Sequence, residues 1–301
     1  MQDLNKKLNF LAKFWLKINR PLQYNLYKQT RLFVKSADFN HHLLPIIPQN
    51  TALQTFKHSG NSGDIIYALP TVLALKNEKS AEFYLQLNQQ GCDKSHPLGG
   101  VMLNEKMAEM LLPLLDTQHY IDKVGIFNGQ TIDYNLDLLR ELPISLAAGD
   151  ISRWYFHIFN VYADLSKPWI NVVPNTQYKD SIILARSERY LNPYFDYSFL
   201  KKYPNIVFVG VEKEFQLMKK QVPNAQFVSV NNFLELAQII AGGKFFIGNQ
   251  SFPYSLAEAM KTPRILEMCY YAPNVVIHGA NGYDVYFQKY LEERVDFLFN
   301  S

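Results

Sequence analysis

Apolar and polar positions follow a regular order in the second half of the chain. From residue 181 onward, apolar runs of strand length alternate with segments of helical periodicity. This order favours a parallel sheet covered by helices on both faces. The predicted strands are 181–185, 205–210, 226–230, 244–247 and 264–267, and the predicted helices are 213–220, 233–241 and 253–260.

The first half of the chain shows the same alternation less regularly. A polar, glycine-containing loop at 91–100 is predicted to lie at a cleft. The segment 153–162 is rich in aromatic side chains, for which packing in the core is favoured over a role in a cleft wall. The predicted strands are 52–57, 82–87 and 123–127, and the predicted helices are 63–76, 102–115, 131–140 and 153–162.

Two prolines mark the best candidate for a boundary between domains. Pro168 and Pro174 lie with Asn175 in the segment 167–179, a composition typical of a linker. A last helix is predicted at 283–299. We therefore divide the chain into a helical extension at 1–50, an α/β domain at 51–170, a second α/β domain at 171–280 and a terminal helical segment at 281–301.

The first 35 residues form an amphipathic and basic segment. Its apolar residues recur at helical spacing, and its charge of +7 leaves −4 for the other residues out of a total of +3. Such a helix can lie on an anionic membrane, contact nucleic-acid phosphates, or pack its apolar stripe on the rest of the protein. The stripe is Leu4, Leu8, Leu11, Trp15 and Ile18, and the charges are Lys6, Lys7, Lys13, Lys17, Arg20, Lys28, Arg31 and Lys35 against Asp3.

The composition is that of a globular enzyme of ordinary solubility. Of 301 residues, 48% are hydrophobic and 19% are charged, which allows two cores of medium size. We find no run of about 18 apolar residues and no signal peptide, and Cys92 and Cys269 are far apart in sequence. These features predict a cytoplasmic protein, peripheral to the inner face of the membrane if the basic segment binds lipid.

Two strand-turn-helix segments carry the candidate chemistry. Residues 58–70 read HSGNSGDIIYALP, and residues 246–259 read FIGNQSFPYSLAEA. The first amides of a helix lack intrahelical acceptors, and together with the helix dipole they favour a bound anion such as phosphate. The two turns lie about 190 residues apart, and they therefore predict two facing α/β domains.

The two segments resemble the heptosyltransferase-like family of glycosyltransferases, also called glycosyltransferase family 9. The similarity covers residues 52–280. The family's first motif is matched by Gly63, Asp64, Ile65, Ile66, Leu69 and Pro70. Its second motif is matched by Gly248, Asn249, Ser251, Pro253, Leu256, Ala257 and Ala259, with Gln250, Phe252 and Ser255 in place of the family's acid, second glycine and histidine.

The resemblance implies the GT-B fold, in which two Rossmann-like α/β domains face each other across a cleft and the C-terminal helix packs back on the first domain. It also implies that Asp64 is the catalytic base. A carboxylate on a glycine turn can take the proton of an attacking hydroxyl, although an Asp in this place can also cap the helix. The residues expected on the acceptor side of the cleft are His58, Gly60, Asn61 and Gly63.

A nucleotide-sugar donor would bind the second domain. Arg186 and Arg189 follow a predicted strand, and their guanidinium groups suit phosphate oxygens, unless they pair with Glu188 or Glu212. Of the two acids near this site, Glu267 is preferred over Glu258 as a ribose ligand. Glu267 ends an apolar strand, where an unpaired carboxylate would be costly, so a partner is expected for it. Glu258 can instead form a surface pair with Lys261, three residues on. The predicted donor-binding residues are Arg186, Arg189, Gly210, Glu214, Gly248, Asn249, Gln250, Ser251, Phe252, Ser255 and Glu267.

The predicted function is transfer of a sugar from a nucleoside-diphosphate sugar to a hydroxyl group, with inversion. No DxD-type acid pair follows a strand, so we predict no metal and no cofactor besides the sugar nucleotide. The acceptor is a cell-surface or lipid-linked glycan, or a hydroxylated nucleobase. One alternative is a non-catalytic nucleotide- or glycan-binding module on the same scaffold, and another is a sugar-nucleotide epimerase or hydrolase.

Overall fold

The computed structural model describes residues 7–40, 52–91, 100–142, 144, 146 and 149–301, with the backbone alone for residues 32–40. Several predicted features lie outside these residues. They are the start of the apolar stripe at Leu4, the 41–50 part of the extension, Cys92 and most of the loop predicted at 91–100.

Two consecutive helices precede the α/β part, α1 (Phe10–Asn19) and α2 (Pro21–Asn40). Asn9 caps α1, because its side chain accepts the amide of Ala12 at 2.8 Å. The proline at the first position of α2 fits a helix start, where no amide donor is needed. The two helices contact each other, and no side chain among residues 7–31 is buried. The alternative prediction, that the apolar stripe packs on the rest of the protein, is therefore wrong for these residues.

The first sheet is parallel, with the strand order β3-β2-β1-β4. β1 alternates exposed and buried positions, which is the pattern of a half-covered strand. The strands are β1 (Leu53–His58), β2 (Ser80–Leu85), β3 (Lys123–Ile126) and β4 (Tyr134–Asn135), and the helices are α3 (Ser62–Lys76), α4 (Glu105–Asp116), α5 (Leu138–Glu141) and α6 (Ile151–Phe159).

The second sheet is also parallel, with the order β10-β9-β8-β5-β6-β7. The strands are β5 (Ile182–Ala185), β6 (Ile206–Val209), β7 (Gln226–Val228), β8 (Phe245–Asn249), β9 (Arg264–Glu267) and β10 (Gly282–Val285). The helices are α7 (Glu212–Lys219), α8 (Phe233–Gly242), α9 (Phe252–Met260) and α10 (Gln288–Asn300), with short 3-10 helices at Thr176–Tyr178 and Ser198–Lys202.

Helices from both halves pack together between the sheets. α3 contacts α9, and α4 contacts α8. One hydrophobic cluster includes Phe56 and Leu85 of the first sheet together with Phe246 and Leu266 of the second. The aromatic segment belongs to this cluster, since Tyr155 is fully buried. The preference for core packing is confirmed for Tyr155, Phe156 and Phe159, whereas Tyr162 is 80% exposed.

The predicted linker joins the two halves through Trp169. Pro70 lies inside α3 and cannot donate a backbone hydrogen bond to the carbonyl of Ile66. The indole N–H of Trp169 donates to that carbonyl at 3.0 Å. The backbone N–H of Trp169 donates to the carbonyl of Ala259 in α9 at 2.9 Å. One buried tryptophan therefore holds the main helix of each half.

Two predicted helices are corrected by the structure. The segment 131–140 contains strand β4 and the short helix α5, because residues 134 and 135 pair with β1. The segment 283–299 begins with β10, which pairs with β9, and only then continues as α10. α10 packs on the second sheet through Leu291, Val295 and Leu298. The implied packing of this helix on the first domain is therefore wrong.

Candidate active site between two helix N-termini

The two predicted turns meet where the first turn of α3 approaches the first turn of α9. A Cβ atom placed on Gly63 would lie 3.9 Å from the Ser255 hydroxyl oxygen and 4.0 Å from the Phe252 Cα. Both helices thus direct the positive ends of their dipoles toward one region. Two such ends in contact favour an anion between them.

Asp64 lies in the first turn of α3 and forms an ion pair with Arg140 of α5. The helix is capped at Asn61 rather than at Asp64, and the Asn61 side chain makes no capping hydrogen bond. Asp64 therefore does not cap the helix, which was the alternative to its role as a base. Burial lowers the pKa of Arg140, and the charge of Arg189 from the second half acts in the same direction.

Gly60 allows Arg140 to approach the turn. A Cβ atom on this glycine would lie 3.1 Å from the Arg140 Nε and 2.6 Å from the His58 Cε1. Any larger residue would push one of these side chains away. The glycine turn therefore determines where the guanidinium group lies relative to Asp64.

His58 is enclosed beneath the turn and does not line the cleft, since 1% of it is exposed. Its Nδ1 accepts the amide of Gly60 at 2.8 Å, so its Nε2 carries the proton and donates to the Tyr155 hydroxyl at 2.6 Å. Burial is the main cause that lowers the pKa of His58, to about 4. The prediction that His58 is a cleft residue is wrong, because this neutral imidazole supports the turn from below.

Asp137, just before α5, ties the turn to β4. Its Oδ1 accepts the Ser59 amide at 2.7 Å and the Ser59 hydroxyl at 2.8 Å. Its Oδ2 lies 3.0 Å from the Lys57 ammonium nitrogen. These bonds hold α5, and with it Arg140, against the first turn.

Three buried polar atoms at this turn have no hydrogen-bond partner among the described residues. They are the Asn61 Oδ1, the Ser62 hydroxyl oxygen and the Arg140 Nε. Ser62 is 5% exposed. A buried polar group without a partner costs about 1–3 kcal/mol. These atoms are covered in this structure, so a ligand would bind them only after the turn moves.

The polar side chains of the second turn are directed into the protein. The Asn249 side chain accepts the amide of Ser187 at 3.0 Å and donates to the carbonyl of the same residue at 2.7 Å. Gln250 donates to the Ala272 carbonyl at 2.6 Å and accepts the Cys269 amide at 2.8 Å. Gly248 is buried within β8. The side chains of Asn249 and Gln250 therefore hold neighbouring loops and are not directed at a donor in this structure.

The start of α9 keeps part of the predicted anion site. The Ser251 amide donates to the Asn249 carbonyl at 2.6 Å, so it is not available to a ligand. The Phe252 amide stands at the first helical position and has no intrahelical acceptor. The Ser251 hydroxyl makes only a long 3.3 Å contact with the Asn249 carbonyl. Ser255 is fully buried, and its hydroxyl donates to the Phe252 carbonyl at 2.7 Å.

Arg186 and Glu267 form a buried ion pair. The Arg186 Nε and one terminal nitrogen donate to the two Glu267 oxygens at 2.6 and 2.9 Å. The Tyr197 hydroxyl donates to the same carboxylate at 2.7 Å, and the Tyr197 ring lies under the guanidinium group at 4.7 Å. The partner predicted for Glu267 exists. In this arrangement each side chain satisfies the other, so the roles of Arg186 in phosphate binding and of Glu267 in ribose binding stay predictions.

Glu258, the acid ranked second, is also occupied. It is fully buried in α9 and pairs with Lys261 and Arg264, each at 2.6 Å. Its pairing with Lys261 was expected, but at the surface rather than in the interior.

Arg189 has its charge available at the site. Its side chain is exposed and its guanidinium carbon lies 4.9 Å from the centre of the Tyr190 ring. The Tyr271 hydroxyl donates to its backbone carbonyl at 3.1 Å. Besides burial, the charge of Arg189 lowers the pKa of Arg140, and the Arg189 loop is held by Tyr271.

The remaining predicted residues, Gly210 and Glu214, lie beyond the carboxyl end of β6. β6 is two strands from β8, a distance of about 10 Å. Gly210 has φ of +150°, and a Cβ atom there would lie 3.4 Å from a carboxyl oxygen of Glu214. Burial raises the pKa of Glu214. Because residue 210 is a glycine, the Glu214 carboxyl group can lie close to the backbone at this edge.

Four residues of the site were missed by sequence reasoning, namely Arg140, Asp137, Tyr155 and Ser62. Ser62 lies inside the first motif and could have been found there. The others reach the turn through pairing of β4 with β1 and packing of α6 on α3. Within the described residues, no cluster of three or more His, Cys, Asp or Glu side chains could hold a metal ion, and no helix could span a membrane.

The similarity of the chain to known proteins lies in its structure. No protein-family model matches the chain, and no curated protein matches it in sequence. A glycosyl transferase family 9 structure from Veillonella parvula DSM 2008 covers 81% of this chain and 88% of its own, with a TM-score of 0.53 and 11% identity.

The E. coli heptosyltransferase WaaC with ADP covers 82% of this chain and 99% of its own, with a TM-score of 0.56 and 9% identity. The same enzyme with ADP-2-deoxy-2-fluoro heptose covers 83% and 100%, with a TM-score of 0.55 and 9% identity. The chain therefore has the two-domain α/β fold of these heptosyltransferase-like glycosyltransferases, as predicted from its two turns.

Proposed function

We propose that the chain is a glycosyltransferase that moves a sugar from a nucleoside-diphosphate sugar to a hydroxyl group. The observation that carries the proposal is the contact between the first turns of α3 and α9. Two helix N-termini, Arg140 and Arg189 concentrate positive charge there, and Asp64 compensates only part of it. A diphosphate supplies the negative charge that this junction lacks.

The proposed donor site uses fewer residues than the sequence suggested. The Phe252 amide, the Ser251 hydroxyl and Arg189 would bind the diphosphate and stabilise the charge that develops on the leaving group. Gly210 and Glu214 would lie beside the nucleoside, at the same edge of the sheet. Accordingly, residues 171–280 would bind the donor and residues 51–170 the acceptor.

Asp64 is the proposed base. The acceptor oxygen forms a bond to the anomeric carbon as the bond from that carbon to the diphosphate breaks, and the acceptor proton passes to Asp64. Attack opposite the leaving group inverts the configuration. An Asp held by Arg140 is a weak base, so we propose that Arg140 moves to the donor phosphate and releases Asp64. The unpartnered Nε of Arg140 provides a second donor for that contact.

We propose ADP-heptose as the first donor to test, because the solved WaaC structures contain ADP and an ADP-heptose analogue. We also propose that the reaction needs no metal ion, because Arg189 and the start of α9 would take the place of a cation at the diphosphate. The acceptor classes predicted from the sequence, a cell-surface or lipid-linked glycan and a hydroxylated nucleobase, both supply the hydroxyl group. The cytoplasmic location stays a prediction from the sequence.

The first test is the melting temperature of the purified chain with ADP-, UDP-, GDP- and dTDP-sugars and CMP-sugars, each in EDTA and in magnesium. Ligand at about 100 times its Kd adds about 2.7 kcal/mol of stability. A shift in EDTA with one nucleotide supports the metal-free site. No shift with any nucleotide in either condition would remove the basis of the proposal.

The second test is release of nucleoside diphosphate by the Asp64→Asn variant. We expect a loss of about 10²–10⁴-fold in turnover with donor binding retained, whereas the exposed control Asp180→Asn keeps full activity. Equal turnover by Asp64→Asn and the wild type would exclude Asp64 as the base. Arg140→Gln tests the proposed role of Arg140, because loss of its guanidinium group should weaken donor binding.

A non-catalytic nucleotide- or glycan-binding module is the second candidate. It is favoured by one observation, since Asn249, Gln250, Arg186 and Glu267 are all engaged in internal bonds. Donor binding by the wild type without turnover on glycan or nucleic-acid acceptors would support this alternative.

A further inference from the structure

The helix α1 presents a broad apolar stripe to solvent. Phe10, Phe14 and Ile18 recur every four residues, and Leu11 and Trp15 lie beside them on the same side of the helix. The exposed fractions of these five residues are 77%, 55%, 61%, 74% and 52%. Exposed apolar patches of this kind mark interaction sites in folded proteins.

α2 continues the exposed apolar surface. Leu22 and Leu26 lie one turn apart at its start and are 84% and 63% exposed. The two helices are joined through Arg20, whose guanidinium carbon lies 5.6 Å from the centre of the Trp15 ring. Exposed apolar side chains therefore occur on both helices, which contact each other and are called here the hairpin (residues 10–40).

The charge of the hairpin is of one sign. Residues 7–31 contain Lys7, Lys13, Lys17, Arg20, Lys28 and Arg31 and no acidic residue. At about 100° per residue, Lys13 and Lys17 fall at one edge of the α1 stripe. Because residues beyond 35 have a net charge of −4, an acidic body carries a basic apolar hairpin.

We propose that this hairpin docks on an anionic lipid bilayer, with α1 lying in the plane of the interface. The pairing of an exposed apolar stripe with lysines at its edge fits a surface that has acyl chains beneath anionic headgroups. Nucleic acid would use the lysines but leave the apolar stripe in water. A second copy of the chain that paired hairpin on hairpin would cover the stripe but bring like charges together. This inference concerns a surface outside the proposed active site and does not depend on glycosyl transfer.

Co-sedimentation of the full chain with vesicles tests the proposal. The vesicles are phosphatidylcholine alone or phosphatidylcholine with phosphatidylglycerol, at low and high salt. We expect binding to the anionic vesicles only, and weaker binding at high salt because screening shortens the range of the attraction. Equal binding to both vesicle types, or binding to neither, would overturn the proposal.

Two variants separate the apolar and charged contributions. Lys13→Gln with Lys17→Gln should weaken vesicle binding about 25-fold, since each basic residue near an anionic surface contributes about five-fold. Phe14→Ser with Ile18→Ser should weaken it by about ten-fold or more. The matched controls change exposed residues of the body, Lys201→Gln with Lys220→Gln and Val173→Ser, and should bind as the wild type does.

Trp15 gives a direct readout of insertion. We expect its fluorescence emission to shift to shorter wavelength with anionic vesicles, and this change to be absent in Trp15→Phe. Gel shift with duplex DNA and sedimentation velocity test the other two partners. Two results would each overturn the lipid assignment. One is duplex binding that the lysine variant loses and the serine variant keeps. The other is self-association that the serine variant loses while its vesicle binding stays unchanged.

Discussion

Replacement of Arg186 distinguishes a structural arginine from a phosphate ligand. In Arg186→Met the fully buried carboxylate of Glu267 keeps the Tyr197 hydroxyl and the Asn192 amide but loses both guanidinium bonds, at 2.6 and 2.9 Å. Removing one partner of a buried ion pair costs about 3–5 kcal/mol. At about 2–4 °C per kcal/mol, the melting temperature should fall by roughly 6–20 °C.

Arg189→Met is the matched variant, because its side chain is exposed and rests on Tyr190. We expect its stability to stay within about 0.5 kcal/mol of the wild type. Loss of one charged hydrogen bond to phosphate, about 1.5–3 kcal/mol, should weaken nucleotide binding roughly 10- to 150-fold. Both quantities come from thermal melts with and without the nucleotide found to bind. A wild-type melting temperature for Arg186→Met together with lost nucleotide binding would refute this reasoning.

Three further predictions concern the supports of the site. His58 has a pKa of about 4 when folded against 6.5 when unfolded, so the unfolded chain binds an extra proton between these values. Stability should fall by about 3 kcal/mol as pH drops through this window, and melts of His58→Gln from pH 7 to pH 4 should lack that loss. Gly60→Ala places a methyl group 2.6 Å from the His58 ring and should lower both stability and nucleotide affinity. Gly125→Ala is the steric control in the same melts, because the added methyl group would have no contact closer than 3.9 Å. Trp169→Phe leaves the Ile66 carbonyl without its donor and should cost about 1–3 kcal/mol in urea unfolding; an unchanged midpoint would show that another group serves this carbonyl.

The sequence predicted those parts of the fold that depend on local patterns. Strand β8, the turn at Ser251 and helix α9 follow one another within a few residues, and the apolar run, the glycine and the proline each mark a boundary. The same holds for β1 and α3. Strand β4 was missed because its two residues gain their structure from pairing with β1, and the local pattern of 131–140 equally suits a helix.

The partners within the site depend on topology, which the sequence did not reveal. Arg186 follows β5 and Glu267 ends β9, and these strands lie on either side of β8. The sequence predicted that Glu267 needs a partner and that Arg186 needs an anion, but not that these two side chains pair with each other. Arg140 reaches Asp64 across 76 residues of sequence, and no local pattern indicates such a contact.

The departures of the second turn from the family motif have a physical consequence. Gln250 stands where the family has an acid, and its amide holds the loop at Ala272 and Cys269. The start of α9 therefore has no carboxylate of its own to offset the helix dipole. Across the junction, Asp64 and Arg140 neutralise each other, which leaves Arg189 as the uncompensated charge. This turn therefore carries one acid fewer than the motif it resembles, and its potential is more positive. Because the attracting charge of Arg189 is exposed to salt, the affinity for a diphosphate should fall as ionic strength rises.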